Sequence, residues 1–291
     1  MGGVSNEREV SLVSGRNVAD ALAGTGKYDV VPVDLRAENL DPMPKDVDAV
    51  YVALHGGWGE NGGVQAALNA LKIPYTGPGV MASQIAMDKV KTKMVLEMKG
   101  VPTAAWGLAS PDTASSPLPL PVVVKPPSDG SSVGISKVST ADQWAAARDA
   151  AFAAQRDPDR PILVEEFIHG REFTVAVVDG EAWPVIEIVA RNGWYGYEEK
   201  YNSNETRYPF LEDARLAAEL QRHAIAAYQA VGCRGVTRVD FRVSPLGRCY
   251  ALELNTSPGF TSHSLVPKAG MHTGLTFAGV CERILASAAC D

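Results

Sequence analysis

RVDFRV (238–243), SPLG (244–247) and LELNTSPGFTSHSL (252–265) form the stretch from which the rest of the chain is read. Two runs with alternating apolar residues flank a turn, which predicts a β-hairpin. With a four-residue loop, Ser244 to Gly247, Val243 faces Arg248 and Arg238 faces Glu253. The two-residue period of a strand then places Arg238, Asp240, Glu253 and Asn255 on one face. A loop one residue longer would break that parity. Two carboxylates and an amide oxygen are hard ligands, suited to Mg²⁺ that also holds phosphate oxygens. A solvated face would account for an acidic pair alone. It does not account for the amide, the SPG turn, the hydroxyl cluster and the arginine beside them, so a magnesium–phosphate site is expected here.

The chain has 291 residues and a net charge of −7. That balance argues against a broad nucleic-acid surface, so any anion must be held by local positive groups. No apolar run approaches the roughly 20 residues of a membrane span, and no export signal opens the chain. Cys233, Cys249, Cys281 and Cys290 have no metal-ligand spacing and read as reduced thiols in a cytoplasmic protein.

The length predicts two or three compact units. A helical pattern follows the opening loop (Val10, Val13, Val18, Leu22). Strands are expected at Val30–Val33 and Ala49–Leu54, the second running into HGGWGENGG (55–63), a loop at a strand's carboxyl end where α/β sheets bind ligands. Turn residues at 73–79 mark a boundary. A helix with paired lysines (Met87–Gly100), a β-branched strand (122–125) and an Ala-rich helix opening near Thr140 follow. Strand Ile162–Glu166 is expected to begin the last unit, whose sheet continues through Glu172–Val178 and Ala182–Val189. The expected units are an N-terminal substrate-binding α/β domain (1–78), a central part (79–164) and a C-terminal catalytic part (165–291).

Lys125 ends a buried strand just before PPSDGSSVG (126–134). This is no Walker A sequence, but its backbone N–H groups and hydroxyls can fold over phosphates. Glu165 and Glu166, followed by Glu172, offer carboxylates to an exocyclic amine and to ribose hydroxyls.

SNEREVSL (5–12), ALHGGWGENG (53–62), YTGPGVMAS (75–83), MDKVKTK (87–93), KPPSDGSSVG (125–134), EEFIHGREFTV (165–175), YEEKYNSNET (197–206), RVD (238–240) and LELNTSPGFTSHSLVP (252–267) together resemble the D-alanine–D-alanine ligases of the ATP-grasp superfamily. The resemblance covers essentially the whole chain. It implies an α/β (α+β) fold, a Rossmann-like N-terminal domain followed by a two-part ATP-grasp fold. It further implies ATP as co-substrate and two Mg²⁺ (or Mn²⁺) on Asp240, Glu253 and Asn255. Lys89, Lys125 and Lys200 would address phosphates. Glu165 and the backbone of Glu166 to Ile168 would meet adenine, and Glu172 ribose. Glu7 would hold the first D-alanine's ammonium, with His55 in the same pocket, and Ser131 and Tyr201 would close a lid (126–134 and 193–206) with it. Arg238 and the Gly259 N–H would stabilise the tetrahedral intermediate, and Ser264 and Leu265 the second D-alanine's carboxylate. The implied reaction joins two D-alanines through a D-alanyl phosphate for peptidoglycan synthesis, in a homodimer. A D-alanine–D-lactate ligase is the alternative, and tyrosine at 201 argues for the amine acceptor. The resembling ligases carry a short apolar strand ahead of the substrate loop, whereas this loop opens at Met1. The natural start is therefore expected upstream, and a terminus without that strand is expected to fray.

Overall fold

The structure, a computed structural model, describes residues 1–128, 134–155, 157–190 and 206–291. Its helices and strands run α1 (Arg8–Ala23), α2 (Gly63–Ala70), α3 (Val80–Met87), α4 (Lys89–Met98), β1 (Trp106–Ala109), β2 (Val122–Lys125), β3 (Ser136–Val138), α5 (Trp144–Ala154) and β4 (Ile162–Glu166). There follow β5 (Arg171–Val178), β6 (Glu181–Ala182), β7 (Ile186–Ile188), α6 (Ala214–Val231), β8 (Val236–Val243), β9 (Cys249–Asn255), α7 (Leu265–His272) and α8 (Phe277–Leu285).

Two sheets carry the site. The smaller has the order β1-β4-β2-β3, the larger β6-β5-β8-β9 with β7 also on β5. The pairings within both are antiparallel. Ile162–Glu166 does not begin the last unit: it lies between β1 and β2, and the expected boundary at 164/165 falls inside it. Sequence order is silent on such pairing, because the strand's partners come before it in the chain.

Alternation decides which side of each sheet is core. Val122, Val124, Ile162 and Val164 pack on Trp144, Ala147 and Ala151 of α5, whose entry is fixed by a Thr140–Gln143 capping box. In the larger sheet, Phe173, Val175, Val177, Val239, Phe241 and Val243 bury against α6 and against Ala82, Ala86 and Leu96 of α3 and α4. Removing such side chains from water is the main stabilising term. On the larger sheet's other side Ala176, Val178 and Val236 enter a second core with Val266 and Ile284, and the polar alternates Thr174, Arg238 and Asp240 are left to line a cleft.

α1 departs from its expected stripe. Its buried face is Ser11, Ser14, Gly15, Val18, Ala19 and Leu22, while Val13 is 40% exposed. Only the second half of the helix enters an apolar core, where Val18 and Leu22 join Val266 and Ile284. The first half faces polar groups of the site, so hydroxyls replace aliphatics there.

The strands expected at Val30–Val33 and Ala49–Leu54 are extended chain without a regular ladder. Their segments meet neighbours at bridges, Gly2 with Leu35 and Val50 with Tyr75. Between them lies a cavity of about 670 Å³, lined by Val18, Leu22, Val33, Val52 and Leu68 among others, which keeps the backbones apart. The first residues are nonetheless stitched down rather than frayed. The Met1 ammonium donates to Val33 O (3.0 Å), Leu35 N–H to Met1 O (3.0 Å) and Gly3 N–H to Leu35 O (2.8 Å).

The chain's last residues return to the N-terminal third. Tyr75 and Ala289 exchange backbone bonds of 3.2 Å, Arg234 donates to Tyr75 O and Gly77 O, and the Asp291 carboxylate accepts from Val80 N–H at the start of α3.

Candidate active site

The hairpin differs from its expected register twice, and the two shifts together preserve which residues share a face. Its loop has five residues, so Val243 faces Cys249 rather than Arg248. A β-bulge then leaves Leu252 as the extra residue between Ala251, opposite Phe241, and Glu253, opposite Asp240. Arg238 therefore faces Asn255, not Glu253, yet all four polar side chains remain on one face. In a regular ladder Glu253 would follow Ala251 and Cys249 on alternate residues into the core. Burying an unpaired carboxylate costs several kcal/mol, and the bulge avoids this.

Asp240 is the hub of that face and is nearly buried. Arg238 clasps it through Nε and Nη2 (3.0 and 2.9 Å), Thr174 Oγ1 donates at 2.5 Å and Asn255 Nδ2 at 3.0 Å. Because Asn255 gives its amino group to Asp240, its carbonyl oxygen points the other way. Glu253 lies 3.9 Å from Lys89 Nζ. Further along the cleft Glu172 pairs across the strands with Arg242 (3.2 Å), which also donates to Gly170 O. No cluster of three His, Cys, Asp or Glu side chains able to hold a metal occurs among the described residues. The donor set of two carboxylates and one amide fits a hard divalent cation whose remaining positions are filled by phosphate oxygens and water.

The smaller sheet brings a lysine within reach of this face, for the charges of Glu253 and Glu172 act on Lys125. Val123, Lys125, Leu163 and Glu165 alternate onto the side away from α5. Glu165 is 2% exposed and bridges two ammoniums, those of Lys125 and of Lys93, the latter at 2.5 Å. Burial pushes its carboxyl up, but Lys125 and Lys93 outweigh burial and hold it at about 2. Glu166 points to solvent. Glu166 N–H donates to Ala105 O and Phe167 N–H to Pro121 O, so neither donor is left for an adenine. Of that segment, Ile168 is buried beside the cleft. Lys89 is the first residue of α4, whose cap Asp88 accepts from Val90 and Lys91 N–H.

Glu7 stands at the N-terminus of the 16-residue α1, against Gly56 of the HGG turn. His55 is 5% exposed and bonded at both ring nitrogens, Nδ1 to Ser257 O and Nε2 to Ser14 Oγ, each 3.0 Å. A carbonyl can only accept, so Nδ1 carries the proton and Nε2 accepts from the Ser14 hydroxyl. Burial lowers the His55 pKa, with Glu7 opposing, and the ring is neutral. Ser14 Oγ also accepts from Phe260 N–H, and Ser257 Oγ donates to Leu54 O. His55 thus joins the TSPGF turn to the N-terminal loop. Beside it Glu60, with a fifth of its side chain accessible, is pushed up to about 8 by burial and by the charge of Glu7. The charges of Arg238 and Glu253 also reach Glu60, so the N-terminal corner and the acidic face share one cleft.

Gly259 sits where a Cβ would come 2.9 Å from Ser264 Oγ, which accepts from Thr261 N–H at 2.8 Å. Ser264 and Leu265 open α7, so that helix N-terminus points at this turn. Ser131, Lys200 and Tyr201 lie outside the described residues, as does nearly all of the expected lid. Five participants were missed by the sequence reading. Arg242 and Thr174 follow the two-residue period from Asp240 and Glu172, and Lys93 follows Lys89 by one helical turn. Ser14 lies two turns beyond Glu7. Glu60 gave no signal beyond its place in HGGWGENGG.

A family described as D-ala D-ala ligase C-terminus matches residues 94–286. The D-alanine–D-alanine ligase of Bordetella avium is 43% identical over 300 residues, covering 99% of this chain and 93% of that protein. That of Hydrogenovibrio crunogenus is 42% identical over 292 residues, covering 98% and 92%. The crystal structure of the Bacillus anthracis D-alanine–D-alanine ligase complexed with ATP superposes with a TM-score of 0.83 at 31% identity, covering 99% of this chain and 94% of that one. Agreement of this kind along nearly the whole chain, with the hairpin face and the opposed lysines in place, means that the chain belongs to the D-alanine–D-alanine ligase family.

Proposed function

We propose that this protein condenses two D-alanines at the expense of ATP, through a D-alanyl phosphate, releasing ADP, phosphate and the dipeptide used in peptidoglycan synthesis. The observation that carries this reading is one cleft with Asp240, Glu253, Asn255 and Arg238 on one wall and Lys125 and Glu165 on the other. Family membership supports a cytoplasmic homodimer. The net charge of −7 argues against a broad nucleic-acid surface, and among the described residues no helix is long and apolar enough to cross a membrane.

Glu165 accepts from the adenine amino group, Glu172 from ribose hydroxyls, and Lys89 and Lys125 hold phosphates. Asp240, Glu253 and Asn255 would hold Mg²⁺ (or Mn²⁺), which when bound supplies positive charge to the transferring phosphoryl group. Glu7 orients the first D-alanine by its ammonium. The carboxylate oxygen of that first D-alanine attacks the γ-phosphorus and ADP departs. The amine of the second D-alanine, its carboxylate at Ser264 and Leu265, attacks the acyl carbon; phosphate leaves and a proton passes to solvent. Asp240 already holds the Arg238 guanidinium in place, so it meets the developing oxyanion, with the Gly259 N–H, without reorganising. Ser131, Lys200 and Tyr201 complete this proposal as lid residues.

The test is incubation with ATP, Mg²⁺ and D-alanine. Phosphate release with a product of dipeptide mass is expected, none with L-alanine, and no depsipeptide with D-lactate. Phosphate release without D-alanine, or equal turnover of L-alanine, would overturn the reading.

A further inference from the structure

Lys93 has no part in the reaction just described, yet it is among the most deeply buried side chains of the protein, 1% exposed. Its ammonium has three donors and three acceptors around it: Glu165 Oε1 at 2.5 Å, Thr103 Oγ1 at 2.7 Å and Ala104 O at 3.1 Å. That exhausts an ammonium's hydrogens. Thr103 Oγ1 in turn donates to Ala251 O of β9. Lys93 is therefore sealed in place. Lys125, which shares the other oxygen of Glu165, stands at the end of β2 with 13% of its side chain accessible, beside the root of the Gly/Ser loop. One carboxylate thus has a sealed partner and a partner on the cleft.

We propose that Lys93 is a positioning residue that keeps Glu165 neutralised, so that Lys125 is able to leave the carboxylate for the phosphates of the nucleotide. This rests on the cleft being the ATP site. Without Lys93, moving Lys125 to a phosphate would leave Glu165 as a buried unpaired carboxylate, a costly state. The nucleotide would then compete with Glu165 for Lys125. The wider field does not replace Lys93: Glu253 and Glu172 act on Lys125 with the same sign as Glu165, and Glu97 is the other acid acting on Lys93. Burial lowers the Lys93 pKa while Glu165 raises it, so the two groups depend on each other for their charges.

The test measures binding of ATP and of adenosine by calorimetry to the wild-type protein, to Lys93→Met and to Lys93→Gln, which keeps a donor without the charge. ATP affinity should fall at least about tenfold in both variants, with adenosine affinity retained, since Glu165 stays in place on Lys125. Adding Glu165→Gln to Lys93→Met should recover part of the loss, because Lys125 is no longer held by a lone carboxylate. Unchanged ATP affinity, or equal losses for ATP and adenosine, overturns the inference, whereas failure of the wild type to bind ATP overturns the site reading instead. A measurement on the wild type needs no variant. In ¹⁵N-lysine spectra the Lys125 ammonium signal should move on adding ATP and the Lys93 signal stay; the reverse pattern overturns the proposal.

Discussion

Gly56 has no side chain where the Glu7 carboxylate lies: a Cβ there would come 2.6 Å from Glu7 Oε2, and the backbone holds φ at +67°. Both facts demand glycine. Gly56→Ala should displace the carboxylate proposed to orient the first D-alanine. The Michaelis constant for D-alanine should rise roughly tenfold while that for ATP stays level, and stability should fall by about 1–3 kcal/mol, because φ +67° with ψ 164° is open essentially to glycine alone. Steady-state kinetics against each substrate and a thermal melt check this; a rise in both constants together would count against it.

The bulge at Leu252 makes an asymmetric prediction about chain length. Deleting Leu252 restores a regular ladder with Glu253 still opposite Asp240, so the variant should fold, with reduced turnover from a changed twist. Inserting one alanine after Leu252 also lets a regular ladder keep Glu253 and Asn255 on the polar face, but it slides Glu253 from opposite Asp240 to opposite Arg238, so that variant should fold and lose turnover. Circular dichroism and turnover of the two variants decide the matter: both should fold, the deletion should keep measurable turnover and the insertion should not, and equal turnover would contradict the register argument.

Arg160 fastens the root of the Gly/Ser loop to α4. It donates to Asp88 Oδ2 at 2.5 Å and to Ser128 Oγ, while Lys89 N–H donates to Pro127 O. Arg160→Ala should raise the Michaelis constant for ATP about fivefold without touching that for D-alanine. Its partly exposed side chain limits the stability loss to about 1 kcal/mol. Arg160→Lys should restore part of the affinity, and an effect confined to D-alanine would sink the idea.

Glu60 makes stability depend on pH. Its carboxyl is raised from 4.5 to about 8 in the folded protein, so the native state binds the proton more tightly than the unfolded chain does. The contribution is complete below pH 4.5 and is lost as pH rises toward 8. His55, Glu7, Arg238 and Glu253 are the charged or titratable groups acting on it. Melting temperatures of wild type and Glu60→Gln across pH 5 to 9 should diverge in that window, the variant being flatter. Superimposable profiles would show that Glu60 ionises normally.

The polar face of the hairpin was legible in the alternation of Arg238, Asp240, Glu253 and Asn255. Its register was not: loop length and bulge each shift pairing by one, and composition is blind to both. Lys89 and Lys125 stood out because each begins or ends an element beside a loop, and Glu165 because it lies one residue before a strand's end. For Lys93 and Ser14 helical spacing from Lys89 and Glu7 was the one signal, and it was too weak: a buried lysine and a buried serine read locally as surface residues, and their partners lie on strands and turns far along the chain. The expected strands near Val30 and Ala49 had the right residues but not the pairing partners that turn an apolar run into a ladder.

Val18 and Leu22 of the first helix sit in the same core as Val266 and Ile284, and Arg234 and Asp291 grip residues 75–80. The N-terminal third is thus a structural component of the part that holds the acidic face. Thermodynamically these two parts share contacts, so heat or denaturant should break them together rather than peel the first third away. A fragment confined to the family-matched residues 94–286 would expose the apolar surface that α1 covers, and would not retain the native core by itself.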